Sequence, residues 1–230
     1  MSSPDDAGAP ALPSYYRNTR PDVLRHLPAH PRRVLDVGCA AGDFGRAVRT
    51  AHPEAVVHGV EPHDEAASLA EQVLDAVHRG PFDAAALAAL PGDEPYDCVV
   101  FNDVLEHMIA PDAALKLAHS ALAPNGSVVA SIPNIRNWQT LDEVLRGGRF
   151  RYRDKGVLDR THLRFFCRDD MVALFEDNGF AVESLTGTGG LNVKNWQRWK
   201  LMSRLLGNGL SRDGQFLQFV VVARPAFTGG

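Results

Sequence analysis

Cysteine is scarce in this chain: three residues in 230, Cys39, Cys98 and Cys167, odd in number, far apart and without a CxxC pair. That gives neither a disulfide framework nor a zinc-ligand spacing, so a reducing compartment is expected and a metal is not. Also missing is any uninterrupted apolar run close to the ~20 residues that a membrane-spanning helix needs. Residues 1–13 have neither the basic start nor the apolar stretch of a secretory signal; rich in Ala, Pro and Asp, they read as a disordered tail. The net charge of −4 offers no general attraction for nucleic acid. These absences together predict a cytoplasmic protein with no nucleic-acid partner and no transmembrane segment.

What is present is an ordinary globular composition, 45% hydrophobic and 23% charged. The length suits one core domain of roughly 200 residues with appended pieces, placed at 14–226. Charge is unevenly spread. Between Arg146 and Arg168 the chain carries Arg146, Arg149, Arg151, Arg153, Lys155, Arg160, Arg164 and Arg168 against Asp154 and Asp159, leaving the remainder strongly acidic.

Apolar patterning predicts strands at Arg33 to Val37, Val56 to Val60, Tyr96 to Asn102, Ser127 to Ile132, Ala181 to Thr186 and Gln215 to Ala223. Between them lie helical patterns from Asp43 to His52, from Asp64 (as N-cap) to Val77, from Asp112 to Leu122, and from Asp169 to Asn178, with a turn at Pro124-Asn125-Gly126. Strands alternating with helices imply an α/β fold with a parallel sheet covered on both faces. An inserted amphipathic helix is expected within 191–209: from Lys194 to Leu206 its stripe of Trp196, Trp199, Met202 and Leu206 packs on the domain, on a second subunit in a homodimer, or on a membrane surface.

In an open parallel sheet, ligands bind beyond the carboxyl ends of the strands where strand order reverses. The first strand-to-helix turn reads Asp36-Val37-Gly38-Cys39-Ala40-Ala41-Gly42-Asp43. Its small residues let backbone approach a ligand closely. Glycine-rich turns alone are weak signals, but Glu61 ends the second strand, where a carboxylate can accept both ribose hydroxyls of a nucleoside.

The segment Val34-Leu35-Asp36-Val37-Gly38-Cys39 resembles the class I S-adenosylmethionine (SAM)-dependent methyltransferase family, in its small-molecule branch, over roughly 15–224. The resemblance implies a Rossmann-like, doubly wound, mostly parallel seven-stranded sheet with a substrate-covering insertion, at 134–166, after strand 5. It implies SAM as methyl donor, with S-adenosylhomocysteine as product and no metal. Asp36, Gly38 and Gly42, with Cys39 and Ala40 between, match the motif that cradles the methionine part. Ala40 departs from the glycine most often found there. Glu61, followed by Pro62, matches the ribose-binding acid, and Asp83 resembles the acid facing the adenine amino group. Asn102, Asp103 and Val104 match the turn beside SAM, and Tyr16 lies on the N-terminal segment that often closes over it.

Two further blocks, Ser131 to Trp138 and Leu158 to Phe166, are similar to bacterial methyltransferases associated with glycosyltransferases and cell-surface polysaccharide enzymes. They make Asn134, Arg136, Arg160, His162 and Arg164 the candidate substrate-binding residues, together with His107 of Leu105-Glu106-His107, which in the resembled family begins the substrate-facing loop after the fourth strand. The expected acceptor is a small molecule: a sugar, a glycan precursor or another anionic metabolite. Clustered guanidinium groups would favour an anion, unless they pair with the chain's own acids. If the acceptor must lose a proton, His107 and His162 are the candidate bases, since a histidine titrates near ~6.5.

Two other classes stay open. A nicotinamide-dependent oxidoreductase would share the first β-α-β unit, but Gly38-Cys39-Ala40-Ala41-Gly42 has the wrong spacing for GxGxxG. A non-catalytic module binding SAM or its demethylated product would keep the turn and have little use for the substrate-facing blocks.

Overall fold

The computed structural model describes residues 19–190, 200, 204 and 212–226. The tail, Tyr16, and all but Lys200 and Arg204 of the expected amphipathic helix lie outside the described residues.

Seven strands form one sheet: β1 (Arg33–Val37), β2 (Val56–Glu61), β3 (Ala76–Arg79), β4 (Tyr96–Asn102), β5 (Leu122–Pro133), β6 (Phe180–Thr188) and β7 (Gln218–Pro225). Their spatial order is β3-β2-β1-β4-β5-β7-β6. All neighbours are parallel except β7, which runs antiparallel to both β5 and β6. This is the expected doubly wound, mostly parallel sheet, with an antiparallel pair at one edge. Helices α1 (Pro21–Leu24), α2 (Asp43–Ala51), α3 (Asp64–Ala70), α4 (Ala84–Ala89), α5 (Pro111–Ala121), α6 (Trp138–Leu145) and α7 (Arg168–Glu176) complete it.

Central strands buried on both faces read as near-continuous apolar runs. Val34, Leu35, Val57, Val60, Val99, Val100, Phe101, Val128 and Val129 are all buried, and they feed two apolar clusters. Phe101 and Leu115 belong to one, and Val34, Val48 and Val100 to the other.

Register carries this packing to the functional edge. Val37 lies level with Val60 on one side and with Phe101 on the other, and Asn102 is level with Ser131. The residues that follow β1, β2 and β4 therefore emerge in one row. Strand order reverses between β1 and β4, so the crevice opens there.

Several local expectations are corrected. The helix from Asp64 ends at Ala70, and Ala76–Arg79 is instead a strand pairing with His58 to Glu61. Asp75 drives that change: its backbone N–H donates to the Val57 carbonyl and its carboxylate accepts from Val57 N–H at 2.8 Å, laying the chain against β2. His63, rather than Asp64, caps α3. The Pro124-Asn125-Gly126 turn is a bulge inside β5: Leu122 pairs with Tyr96 and Ser127 with Cys98, so four residues face Asp97 alone. Helices α4 and α6 were not foreseen. Their short apolar patterns, Ala-rich in one and bordering the basic stretch in the other, gave no long helical period.

Candidate active site

The turn after β1 is held by the end of β2. Gly38 and Cys39 donate backbone N–H groups to the Val60 carbonyl at 2.7 and 3.1 Å. The buried Glu61 carboxylate then accepts from Ala40 N–H through Oε2 and from His63 N–H through Oε1, both at 2.9 Å. One side chain thus fixes two ligand-facing loops, and each oxygen keeps a further lone pair. Gly38 has φ +71°, and a Cβ there would stand 2.6 Å from Val104 Cγ2. Ala40 has φ +49°, a left-handed conformation that costs an L-residue roughly 1–2 kcal/mol, so the departure from glycine appears as backbone strain.

Asp36 and Asn102 lie at the ends of β1 and β4. Neither Asp36 carboxylate oxygen and neither polar atom of the Asn102 amide has a hydrogen-bond partner, although all four are buried. Burial, then the nearby Glu61 charge, pushes the Asp36 carboxyl up to about 8; Asn102 lies near enough to draw it part of the way back, yet outside bonding geometry. Buried polar groups are normally satisfied, so these four atoms point to a polar ligand.

Asp103 follows at φ +55°. Its Oδ1 accepts from Ser131 Oγ at 2.8 Å, and its Oδ2 takes a short ion pair from the buried Arg20, which also holds Asp22 at 3.1 Å. Burial raises the Asp103 carboxyl, with Arg20 opposing. Asp83 caps α4 by accepting from Ala86 N–H at 2.9 Å while bordering the same space.

That space is a cavity of about 1390 Å³. Among the expected cofactor residues it is lined by Asp36, Gly38, Cys39, Ala40, Glu61, Pro62, Asp83, Asn102, Asp103 and Val104; Gly42 shapes the turn from outside the lining, with φ +80°. His107 and Arg160 also line it, together with Asp159 and Thr161. The cavity exceeds the ~300–1,000 Å³ typical of a single small-ligand pocket.

A family model described as a methyltransferase domain matches residues 14–185. The chain belongs to this methyltransferase-domain family. The ubiquinone biosynthesis O-methyltransferase of Bradyrhizobium diazoefficiens is 26% identical over 158 residues, 67% of this chain and 60% of that protein. The trans-aconitate 2-methyltransferase of Methylobacterium nodulans is 30% identical over 119 residues, 50% of this chain and 45% of that protein. The matched stretches thus span under two thirds of these relatives' lengths. Among solved structures, a SAM-dependent methyltransferase from Archaeoglobus fulgidus superposes with a TM-score of 0.59 at 18% identity, covering 84% of this chain and 85% of its own. The magnesium protoporphyrin IX methyltransferase of Synechocystis, solved with bound S-adenosylhomocysteine, gives 0.56 at 17% identity, covering 88% and 80%. These likenesses show a shared fold.

The methyltransferase-domain chain differs from the sequence expectation on its acceptor side. Asn134 is fully buried: its Nδ2 donates to the Asp213 and Phe216 carbonyls at 3.0 Å each, and its Oδ1 accepts from Arg136 N–H. The Arg136 guanidinium faces buried Asp213 at 3.5 Å, and Arg164 donates to the Ile109 carbonyl at 2.7 Å. None of these three lines the cavity, so each secures the covering segment. His162 is likewise buried behind the lining, its Nδ1 on the Val157 carbonyl at 3.0 Å. Half of the eight cations in the basic stretch form ion pairs: Arg146 with Asp142, Arg153 with Glu143, Arg160 with Asp154, and Arg168 with Asp169. Two of those acids, Asp142 and Glu143, lie on α6.

Glu106 was missed. Its carboxyl is buried with neither oxygen hydrogen-bonded, and its backbone carbonyl accepts from Leu163 and Arg164 N–H at 2.8 and 3.0 Å. Burial, then the Asp103 charge, holds it well above the usual carboxylate range.

Two expectations follow. Glu61→Ala should weaken SAM binding ~10-fold or more, because a charged acceptor and the order of two loops are lost together; calorimetry that shows unchanged affinity in a folded variant would remove Glu61 from the site. In the ligand-free protein, Asp36 keeps its proton when folded between its ordinary 3.8 and about 8. The folded state binds the extra proton, so its stability should fall as pH rises through that window, by up to about 1.4 kcal/mol per pH unit. Urea denaturation from pH 5 to 8 should show a flatter slope for Asp36→Asn; equal slopes would contradict the assignment.

Proposed function

We propose that this chain transfers a methyl group from SAM to a hydroxyl oxygen of a neutral small molecule by in-line displacement. The observation that carries the reading is the pair of unpartnered, buried side chains Asp36 and Asn102, opening beside Glu61 onto a cavity with room for two molecules. SAM, when bound, supplies a methyl already activated on a sulfonium. The residues fit it: Glu61 offers lone pairs to ribose hydroxyls, Asp83 faces the adenine side, and Asp36, Asn102 and Asp103 offer polar atoms to the methionine end. Tyr16 belongs to the same proposal as a cover.

The acceptor side is defined by His107, Asp159, Arg160 and Thr161 on the covering segment and the β4 turn. The lining carries seven acidic side chains, Asp36, Asp43, Glu61, Asp83, Asp103, Asp154 and Asp159, of which burial holds Asp36 neutral, against Arg20 and Arg160, both already paired with acids. An anionic acceptor would meet that field unfavourably. A sugar-like or phenolic hydroxyl suits it better, as does a cationic donor. Holding donor and acceptor in line can lower the barrier by ~7–11 kcal/mol. The acceptor proton leaves at the corner formed by His107, with His162 stacked edge-on behind it at 4.7 Å between ring centres.

A non-catalytic SAM-binding module is the second reading, and the acceptor-sized remainder of the cavity argues against it. A screen with methyl-labelled SAM should find turnover on neutral glycosides or phenols in preference to nucleotide sugars or tricarboxylates, and His107→Ala should lower kcat by ~100-fold or more with SAM affinity retained. SAM binding without turnover on any hydroxylated acceptor would favour the module.

A further inference from the structure

The covering segment reaches the cavity through Asp154, Asp159, Arg160 and Thr161, and all of these are polar. Arg160 and Asp154 pair with each other at 2.7 Å, which leaves Asp159 as the charge on this wall without a counter-ion of its own. Asp159 is 8% exposed, and the protein uses one of its two carboxylate oxygens. Oδ1 accepts from the Thr161 backbone N–H at 2.9 Å and from the Thr161 hydroxyl at 2.7 Å. Among the described residues nothing donates to Oδ2. The pose is fixed locally: Asp159 N–H donates to the Gly156 carbonyl at 3.0 Å and Arg160 N–H to the Arg153 carbonyl at 2.9 Å, closing the turn that carries the carboxylate. Thr161 also ties it to the reacting corner, because its carbonyl meets His107 Nδ1 at 3.2 Å.

Burial works against the Asp159 charge, but the two Thr161 hydrogen bonds, with His162 and His107 nearby, outweigh it and hold the carboxyl below the usual range. At neutral pH the residue is therefore an oriented anion, and a carboxylate oxygen only accepts. It calls for a donor from the ligand.

We propose that Asp159 determines acceptor specificity: its Oδ2 accepts a hydrogen bond from a second hydroxyl adjacent to the one methylated beside His107, so the acceptor is a saturated vicinal diol such as a sugar ring presents. The inference rests on the methyl-transfer reading and narrows it. A hydroxyl bound to a carboxylate makes a charge-assisted hydrogen bond, and in a water-poor cavity an analogue lacking that hydroxyl leaves the anion unmet. Sites built this way reject such analogues by up to ~10,000-fold or more. The polar covering wall offers an aromatic ring no apolar face, which separates a sugar-like polyol from a catechol.

The test uses the full chain saturated with S-adenosylhomocysteine. Ligand-observed NMR titrations compare the methyl glycosides of glucose, mannose, galactose and rhamnose with their monodeoxy analogues, and with catechol and phenol; the same compounds are assayed for turnover with methyl-labelled SAM. Asp159→Asn is the informative variant, because its amide oxygen still accepts from Thr161 while an NH2 donor replaces Oδ2. In the wild type one glycoside should bind about 10-fold or more tightly than a deoxy analogue missing one hydroxyl. Asp159→Asn should abolish that difference, with its loss falling on KM rather than kcat and with Tm and SAM affinity retained. Glycosides that do not bind, discrimination that survives in Asp159→Asn, or a loss that follows a fall in Tm and SAM affinity overturns the assignment. Failure of the methyl-transfer reading looks different: glycosides bind in an Asp159-dependent way and are not methylated. Turnover of catechol or phenol with glycosides inert keeps methyl transfer and overturns the role given to Asp159. Should Asp159→Asn fail to fold, Thr161→Val, which removes the hydroxyl that orients the carboxylate, must weaken the same discrimination or the assignment falls.

Discussion

The geometry of this molecule at its functional edge depends on one buried carboxylate. Glu61 ends β2 and grips the backbone on both sides, Ala40 N–H in the turn after β1 and His63 N–H at the start of α3. Two loops that would otherwise move independently become a single wall. The strain at Ala40 and the close approach of Gly38 to Val104 are tolerable because this clamp, together with the Val60 carbonyl, overdetermines the turn. With register levelling the neighbouring strands, Asp36, Glu61, Asn102 and Asp103 reach one cavity from three strands.

The opposite wall follows a different logic. It is a covering segment fastened to the β4 turn by backbone hydrogen bonds and to its own acids by ion pairs. Of the basic stretch only Arg160 borders the cavity, and it is paired with Asp154, so the lining is left acidic. Exposed ion pairs of this kind contribute little to stability, typically 0–1 kcal/mol each. Their effect is on selectivity: they withdraw guanidinium groups from a ligand that would otherwise use them.

The cofactor half of the site was legible because its logic is local. A carboxylate two residues before a glycine-rich turn, and another at the end of the next strand, are tied to positions that apolar patterning locates well, and Asp36 and Glu61 stand where that patterning put them. The acceptor half was not legible, because its residues act through long-range partners. Asn134 and Arg136 have side chains that suggest ligand contact, yet their partners, Asp213 and Phe216, lie some eighty residues away. Glu106 read as one acid in a loop; its isolation is visible only once Leu105 and the covering segment bury it. Strand β3 was lost within a helical pattern because Asp75 bonds to β2, a tertiary contact that overrides local preference.

The claim on which the rest stands is that this crevice is shaped for SAM and not for another adenine nucleotide. Isothermal titration of the full chain with SAM and, separately, with NADH tests it most directly. The account predicts saturable one-to-one binding of SAM and no heat from NADH; binding of NADH with none of SAM would contradict it.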